Sequence, residues 1–152
     1  MKKSLIFFSY LMIAISTFAF SAGEIDKKFL QLFSASFPAA EKVNWYETPD
    51  AFIVNFEEEG VRVKAIYEKD ESYVRVLRYY PERNLPFYVR IKIKKAFPQK
   101  TIFGVTELST IWEKENFLVE YYIKLETDYN WTTVRVDNDG NMMVIEKYKK
   151  AL

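Results

Sequence analysis

The chain has 152 residues, with 22 basic against 21 acidic side chains. A formal charge of +1 leaves no electrostatic footprint for nucleic acid. It contains no His and no Cys, which excludes Ser-His-Asp and Cys-His catalysis, His- or Cys-ligated zinc and copper, and a disulfide framework.

Residues 1–23 read as a secretory signal peptide rather than as part of the fold. Lys2 and Lys3 form a basic start, Leu5 to Phe20 is an uncharged apolar run, and small residues follow at Ala19, Ser21, Ala22 and Gly23. The run is shorter than the roughly 20 residues a spanning helix needs, so cleavage after Ser21 or Gly23 is expected, with no stable membrane anchor afterwards. The remainder suits one compact domain or two small fused units, and an aromatic content of 18% supplies a core without disulfides.

The stretch DKKFLQLFSASFP, residues 26–38, predicts a helix. Phe29, Phe33 and Phe37 recur at i, i+4 and i+8 with Leu30 and Leu32 beside them, Asp26 is placed to cap the start, and Pro38 closes the segment. Period two follows. Val43 and Trp45 alternate with polar neighbours, as do Phe52, Val54 and Phe56. A hairpin turn at Glu58-Glu59-Gly60 leads to Val61, Val63, Ala65 and Tyr67, and a turn at Lys69-Asp70-Glu71 leads to a strand over Tyr73–Tyr80.

The next segment, LPFYVRIKIKKAFP, is ambiguous. Val89 to Lys94 alternates apolar and basic like an exposed strand. Laid over DKKFLQLFSASFP at an offset of 60, however, Val89 falls on Phe29, Ile93 on Phe33, Phe97 on Phe37 and Pro98 on Pro38. The overlay predicts a helix from Leu85 to Phe97 with Val89, Ile93, Ala96 and Phe97 on one face, and Pro86 is tolerated in its first turn. Strands are then expected over Thr101–Leu108, Asn116–Leu125, Tyr129–Val136 and Met142–Tyr148, the last two joined by a turn at Asn138-Asp139-Gly140. FIVNF (52–56) matches FLVEY (117–121), and AIYEKDESYVRV (65–76) matches VRVDNDGNMMVI (134–145). The expected fold is α+β: a tandem repeat, 24–81 and 82–152, each unit a helix plus about four antiparallel strands, with the helices on one sheet face.

The FP closing each helix, the Leu85-Pro86 opening the second and the hairpin on DNDGN together resemble the PepSY-like, or beta-lactamase-inhibitor-like, exported proteins of Bacteroidetes and their relatives. The resemblance covers roughly residues 24–150. It implies two helices packed on one face of a curved antiparallel sheet. The namesake inhibitors grip an enzyme with the concave sheet face and carry disulfides, which this chain lacks.

Chemistry-bearing motifs are few. The serines from Ser21 onward sit in no Gly-x-Ser-x-Gly turn, and four glycines build no phosphate loop. Glu57-Glu58-Glu59 reads as a solvated hairpin tip rather than a catalytic carboxylate pair. Asp137 to Gly140 fits positions 3 to 6 of an EF-hand loop with Glu146 at position 12, but position 1 is Arg135 and the flanks read as strands, so a hairpin turn is expected. Asn130-Trp131-Thr132 is a glycosylation sequon, of consequence only in a eukaryotic host. No cofactor and no metal site is expected.

What remains is surface. Phe52, Val54, Phe56, Val63, Ala65, Tyr67, Val74 and Val76 are expected to face the helices, as are Val134, Val136, Met143 and Ile145. The opposite face then carries Tyr73, Arg75 and Tyr79, with Tyr122, Lys124, Trp131, Arg135 and Tyr148 in the second half. Trp112, in the connection that follows the strand begun at Thr101, is a further candidate. Tyr, Trp and Arg are enriched at protein-interface hot spots, although cross-strand aromatic pairs also stabilise a sheet. The leading expectation is a non-enzymatic module, periplasmic or secreted, binding a protein or peptide, with enzyme inhibition as one form of that role. The rivals are an envelope-assembly or chaperone-like protein working through strand edges, a carbohydrate-binding accessory protein using Trp112, Tyr122 and Trp131, and, last, a hydrolase.

Overall fold

Asp26 starts the first helix by accepting the Lys28 N–H on its carboxylate at 2.9 Å. In the computed structural model, which describes residues 25–112 and 116–151, this helix, α1, spans Lys27–Ser36. Phe29 and Phe33 are its buried residues, while Leu30 and Leu32 lie exposed on its outer side. A ten-residue helix is marginal alone, so this aromatic face is what fixes it. The expected signal peptide lies outside the described residues.

The ambiguous segment is helical. Helix α2 spans Phe87–Ala96, with Pro86 as its N-cap. Val89 and Ile93 are 0% and 1% exposed, whereas Ile91 is 49% exposed. A strand would have put Ile91 on the same face as the other two; the helical period turns it away. Both helices end alike. The Phe37 N–H donates to the Phe33 carbonyl and the Phe97 N–H to the Ile93 carbonyl, with closely matching backbone angles at the two phenylalanines. Each proline then forbids continuation. Two details differ from expectation. Ala96 is exposed, and Phe97 is half-buried although Phe37, at the same cap position of α1, is enclosed, so the sheet beneath each cap and not the cap itself sets the depth.

The strands are β1 (Glu41–Glu47), β2 (Ala51–Glu58), β3 (Val61–Glu68), β4 (Val74–Tyr80), β5 (Thr101–Trp112), β6 (Asn116–Glu126), β7 (Asn130–Val136) and β8 (Met142–Lys149). They form one eight-stranded sheet in chain order, every neighbouring pair antiparallel. The β2–β3 turn places Glu59 and Gly60 at φ 51° and 74°, the positive-φ pair of a two-residue hairpin. The β7–β8 turn is held by Asp137, whose carboxylate accepts the Asp139 and Asn141 amides at 3.0 and 2.8 Å, with Gly140 at φ 79°. The Asn141 side-chain amide, which donates to the other carboxylate oxygen at 3.1 Å, and then these backbone bonds hold the Asp137 carboxyl below its usual range. Strand β5 runs on to Trp112, four residues past its expected end.

Both helices lie on the same sheet face. Phe29, Phe33 and Phe37 pack on Phe52, Val54, Phe56, Val63, Ala65, Tyr67 and Val76, with ring centres of Phe33 and Phe56 5.1 Å apart and of Phe37 and Phe56 4.7 Å apart. Leu85, Val89 and Ile93 pack on Tyr80, Ile102, Val105, Tyr121, Ile123, Leu125, Val134 and Val136. Each fully enclosed side chain of this kind is worth about 1.5–3 kcal/mol. The expected helix-facing set is observed except in β8. Met143 pairs with Arg135 and therefore points to the other face, while Ile145 falls at the irregularity in the β7–β8 register. Met142 and Val144 take the helix side there, and every residue of β8 is exposed.

Candidate functional site

Alternation puts Ile53, Asn55, Ile66, Arg75, Leu77 and Tyr79 on the face opposite the helices, since Val54, Ala65 and Val76 face α1. No helix among the described residues covers this face. It is not a purely polar surface. Ile53 pairs directly with Ile66, and Leu77 with Leu108, and Leu118 adjoins them through Thr110; all five side chains are half-buried. This apolar set was not singled out from the sequence. Its signal was present: FIVNF and VRVLRYY carry apolar residues at both parities, the pattern of strands covered on both sides.

Beside this patch runs a single register row, Arg62–Tyr79–Thr106–Tyr122–Arg135, one residue from each of β3 to β7. Two adjoining depressions of about 550 and 500 Å³ share Arg62 and Tyr79 on this row. Tyr122 and Arg135 converge on Glu120. The Arg135 Nε donates to its carboxylate at 2.6 Å, a guanidinium Nη donates to the same oxygen, and the Tyr122 hydroxyl donates to the other at 3.1 Å. Glu120 is 8% exposed. A carboxylate so enclosed costs stability unless paired, and the fork of Arg135 supplies the pairing. The Tyr122 phenol is pushed up by burial and then by the Glu120 charge, while the hydrogen bond to Glu120 raises Arg135 further. Sequence reading found Tyr122 and Arg135 but not the Glu120 that joins them.

Next to this cluster Lys124 stands in a cage of rings. Its ammonium lies 4.5 Å from the Trp131 ring centre, 5.8 Å from that of Tyr148 and 5.9 Å from that of Phe103. Phe103 meets Trp131 edge-on at 4.9 Å. Lys150 also lies 4.5 Å from the Trp131 ring centre and bonds Glu126 at 3.0 Å. Phe103 reaches this side because the β5–β6 register slips between Ile102 and Gly104. That irregularity is what hid Phe103 from a strict alternation.

The expected site residues therefore divide. Arg75, Tyr79, Tyr122, Lys124, Trp131, Arg135 and Tyr148 lie on the helix-free face, with Arg75 paired to Glu68. Tyr73 and Trp112 do not join them. Tyr73 precedes β4, and Trp112 closes β5 rather than lying in a loop. Both border a cleft of about 520 Å³ on the helix side, with Phe29 and Leu32 of α1. Tyr122 pairs with Thr106, six residues along β5 from Trp112 and so roughly 20 Å away. A shared sugar platform of Trp112, Tyr122 and Trp131 is not formed. The acidic hairpin tip offers no facing pair: Glu57 bonds Lys42, and Glu58 lies 3.8 Å from Arg78. Among the described residues no group of three or more metal-ligating side chains comes together, and no helix is long and apolar enough to cross a membrane.

Among the described residues, two α-helices on one side of an eight-stranded antiparallel meander, with no helix on the other side, define an α+β sheet scaffold. Solved structures share it. A BLIP-like protein from Bacteroides fragilis matches with a TM-score of 0.59 at 11% identity, over 79% of this chain and 82% of that one. A DUF2874 family protein from Bacteroides uniformis matches at 0.57 and 13% identity, over 81% of this chain and 88% of that one. Both belong with the class that the FP and DNDGN markers resembled, and at these identities the likeness is one of fold. No family model matches the sequence, and neither does any curated protein.

Proposed function

We propose that the protein is an exported, non-enzymatic module that binds a protein partner through its helix-free sheet face. The observation that carries this reading is the character of that face. Ile53, Ile66, Leu77, Leu108 and Leu118 form a patch bordered by Tyr79 and Tyr122, with Trp131 farther along the same face, a composition suited to a covered surface. The likeness to a BLIP-like protein supports a role of this kind, with inhibition of an enzyme as one form of it. The basic start and apolar run of residues 1–23 support a periplasmic or secreted location. The matching helix ends at Phe37 and Phe97 support reading 24–81 and 82–152 as two copies of one unit.

The test is retention of a partner from periplasmic extract, identified by mass spectrometry, followed by titration. Trp131→Ala and Tyr122→Ala are each expected to weaken binding by about 2 kcal/mol or more, as central aromatic anchors do. Glu58→Ala, on the helix side, should leave affinity unchanged. Unaltered affinity in both aromatic variants would overturn the reading.

A second reading has its own observation. Strand β8 is a sheet edge with Met142, Met143, Val144 and Ile145 all exposed, a surface suited to an added strand. On that reading a bound peptide slows amide exchange along β8 and leaves Tyr122 and Trp131 unperturbed.

A further inference from the structure

The helix-free face holds an imbalance of charge that the apolar patch does not explain. Most of its carboxylates are already paired: Glu57 with Lys42, Glu68 with Arg75, Glu120 with Arg135 and Glu126 with Lys150. Glu146 accepts a hydrogen bond from the Thr133 hydroxyl. Among the described residues Arg62, Lys64 and Lys124 have no ion-pair partner. Arg62 and Lys64 border one of the two depressions on this face, and Arg62 and Lys124 border the other. Three cations without an ion-pair partner therefore line a trough whose carboxylates are Glu57, paired to Lys42, and Glu146.

We infer that this trough takes a carboxylate-bearing extended segment of the partner protein. The inference rests on the proposal that the helix-free face is the binding surface, and it assigns the partner's chemistry. Arg62 and Lys124 lie on β3 and β6, three strand spacings and two residues of register apart, or roughly 16 Å, a span their long side chains shorten. Carboxylates at i and i+4 of an extended segment are separated by about the same distance, and residues i, i+2 and i+4 share one side of it. The side chain at i+2 then falls between the cations, over Tyr79 and Tyr122, beside Leu77 and Leu108. An apolar residue fits there. The three rings around Lys124 hold its ammonium in place without neutralising it, so less side-chain entropy is lost when a carboxylate docks. The aromatic cage is in this sense a positioning device for a cation.

Two synthetic peptides test this on the whole protein. One is acetyl-Glu-Thr-Leu-Thr-Glu-amide, and the other has Gln at both ends. Shifts of the Trp131 indole and Gly104 amide signals report binding. The Glu peptide is expected to bind at least about fivefold more tightly at low salt, the scale of one modest ion pair. Its advantage should vanish at about 0.5 M salt, where the screening length falls to a few ångströms. It should also vanish in the double variant Arg62→Ser, Lys124→Met, checked for an unchanged melting temperature. Equal binding of the two peptides, or no binding of either up to about 10 mM, overturns the carboxylate assignment. In that event, loss of the native partner by Trp131→Ala and Tyr122→Ala would leave the binding face standing, so the two failures are separable.

Discussion

The hydroxyl of Tyr67 is enclosed beneath α1 with no hydrogen-bond partner among the described residues, and the residue is 1% exposed. Burial pushes its phenol up to about 12. An unmet buried hydroxyl costs about 1–3 kcal/mol. Tyr67→Phe keeps the ring, which stacks on Trp45 and packs against Phe29, and removes the orphaned group. The variant is expected to be more stable by about 1 kcal/mol, raising the melting temperature by roughly 4 °C. The sign of the pH effect follows from the raised value. Folding favours the neutral phenol, so its contribution is present below the unfolded value near 10 and is lost as pH rises toward about 12. The advantage of the Phe variant should therefore widen across that window in denaturant melts. A variant less stable than the parent at pH 7 would show that the hydroxyl has a partner. Sequence alone placed Tyr67 in the core by its alternation, but the state of its hydroxyl depends on what α1 lays over it. The site behaves the same way: Tyr122, Arg135 and Trp131 are legible as exposed-parity residues, whereas Glu120 and Phe103 gain their roles from cross-strand neighbours and a register slip.

The two helices carry the same closing motif but bury it differently. Phe37 is 8% exposed and touches Phe33 and Phe56, whereas Phe97 is half-buried at the edge of the α2 cluster. Phe37→Ala is expected to cost about 3–5 kcal/mol, since a large enclosed ring is lost and a cavity left. Phe97→Ala should cost about half as much, because part of its surface is already in water. Urea melts of both variants measure the difference, and equal losses would refute the asymmetry. The overlay that revealed α2 could not foresee this. It matched residue types and spacing, and the depth of a cap residue depends on the sheet beneath it. Strand order and the turns at Gly60 and Asp137–Gly140 were legible, because positive-φ residues and alternation act locally. The face of β8 was not. The AIYEKDESYVRV overlay aligned Met143 and Ile145 with the helix-facing Val74 and Val76 of β4, but the pairing of Val136 with Met142 and the slip beyond Val134 reverse that parity.

Two helix-capped clusters share one sheet, and the strands between them belong to both. Strand β4 gives Val76 to the α1 cluster and Tyr80 to the α2 cluster, while Val61 packs against each. The β4–β5 ladder runs unbroken from the Val74–Ile111 pair to the Tyr80–Val105 pair. Side chains cross it too: the Tyr80 hydroxyl donates to Glu107 at 2.7 Å, and Arg78 lies 3.6 Å from the same carboxylate. Separating the halves would expose the inner edge of each, strip backbone groups of their partners and leave Tyr80 without its neighbours on β5. That cost links the halves more strongly than a flexible connection would. The protein is therefore expected to melt in a single transition, with calorimetric and van't Hoff enthalpies in agreement. The sharper test is remote. Phe33→Ala removes an enclosed ring from α1, at about 3–5 kcal/mol. If the halves unfold together, amide exchange at Ile123 and Val134, in the α2 cluster, should accelerate by the full stability lost. If only β1 to β4 lose protection while Ile123 and Val134 exchange as before, the sheet is two units in contact, each with its own stability.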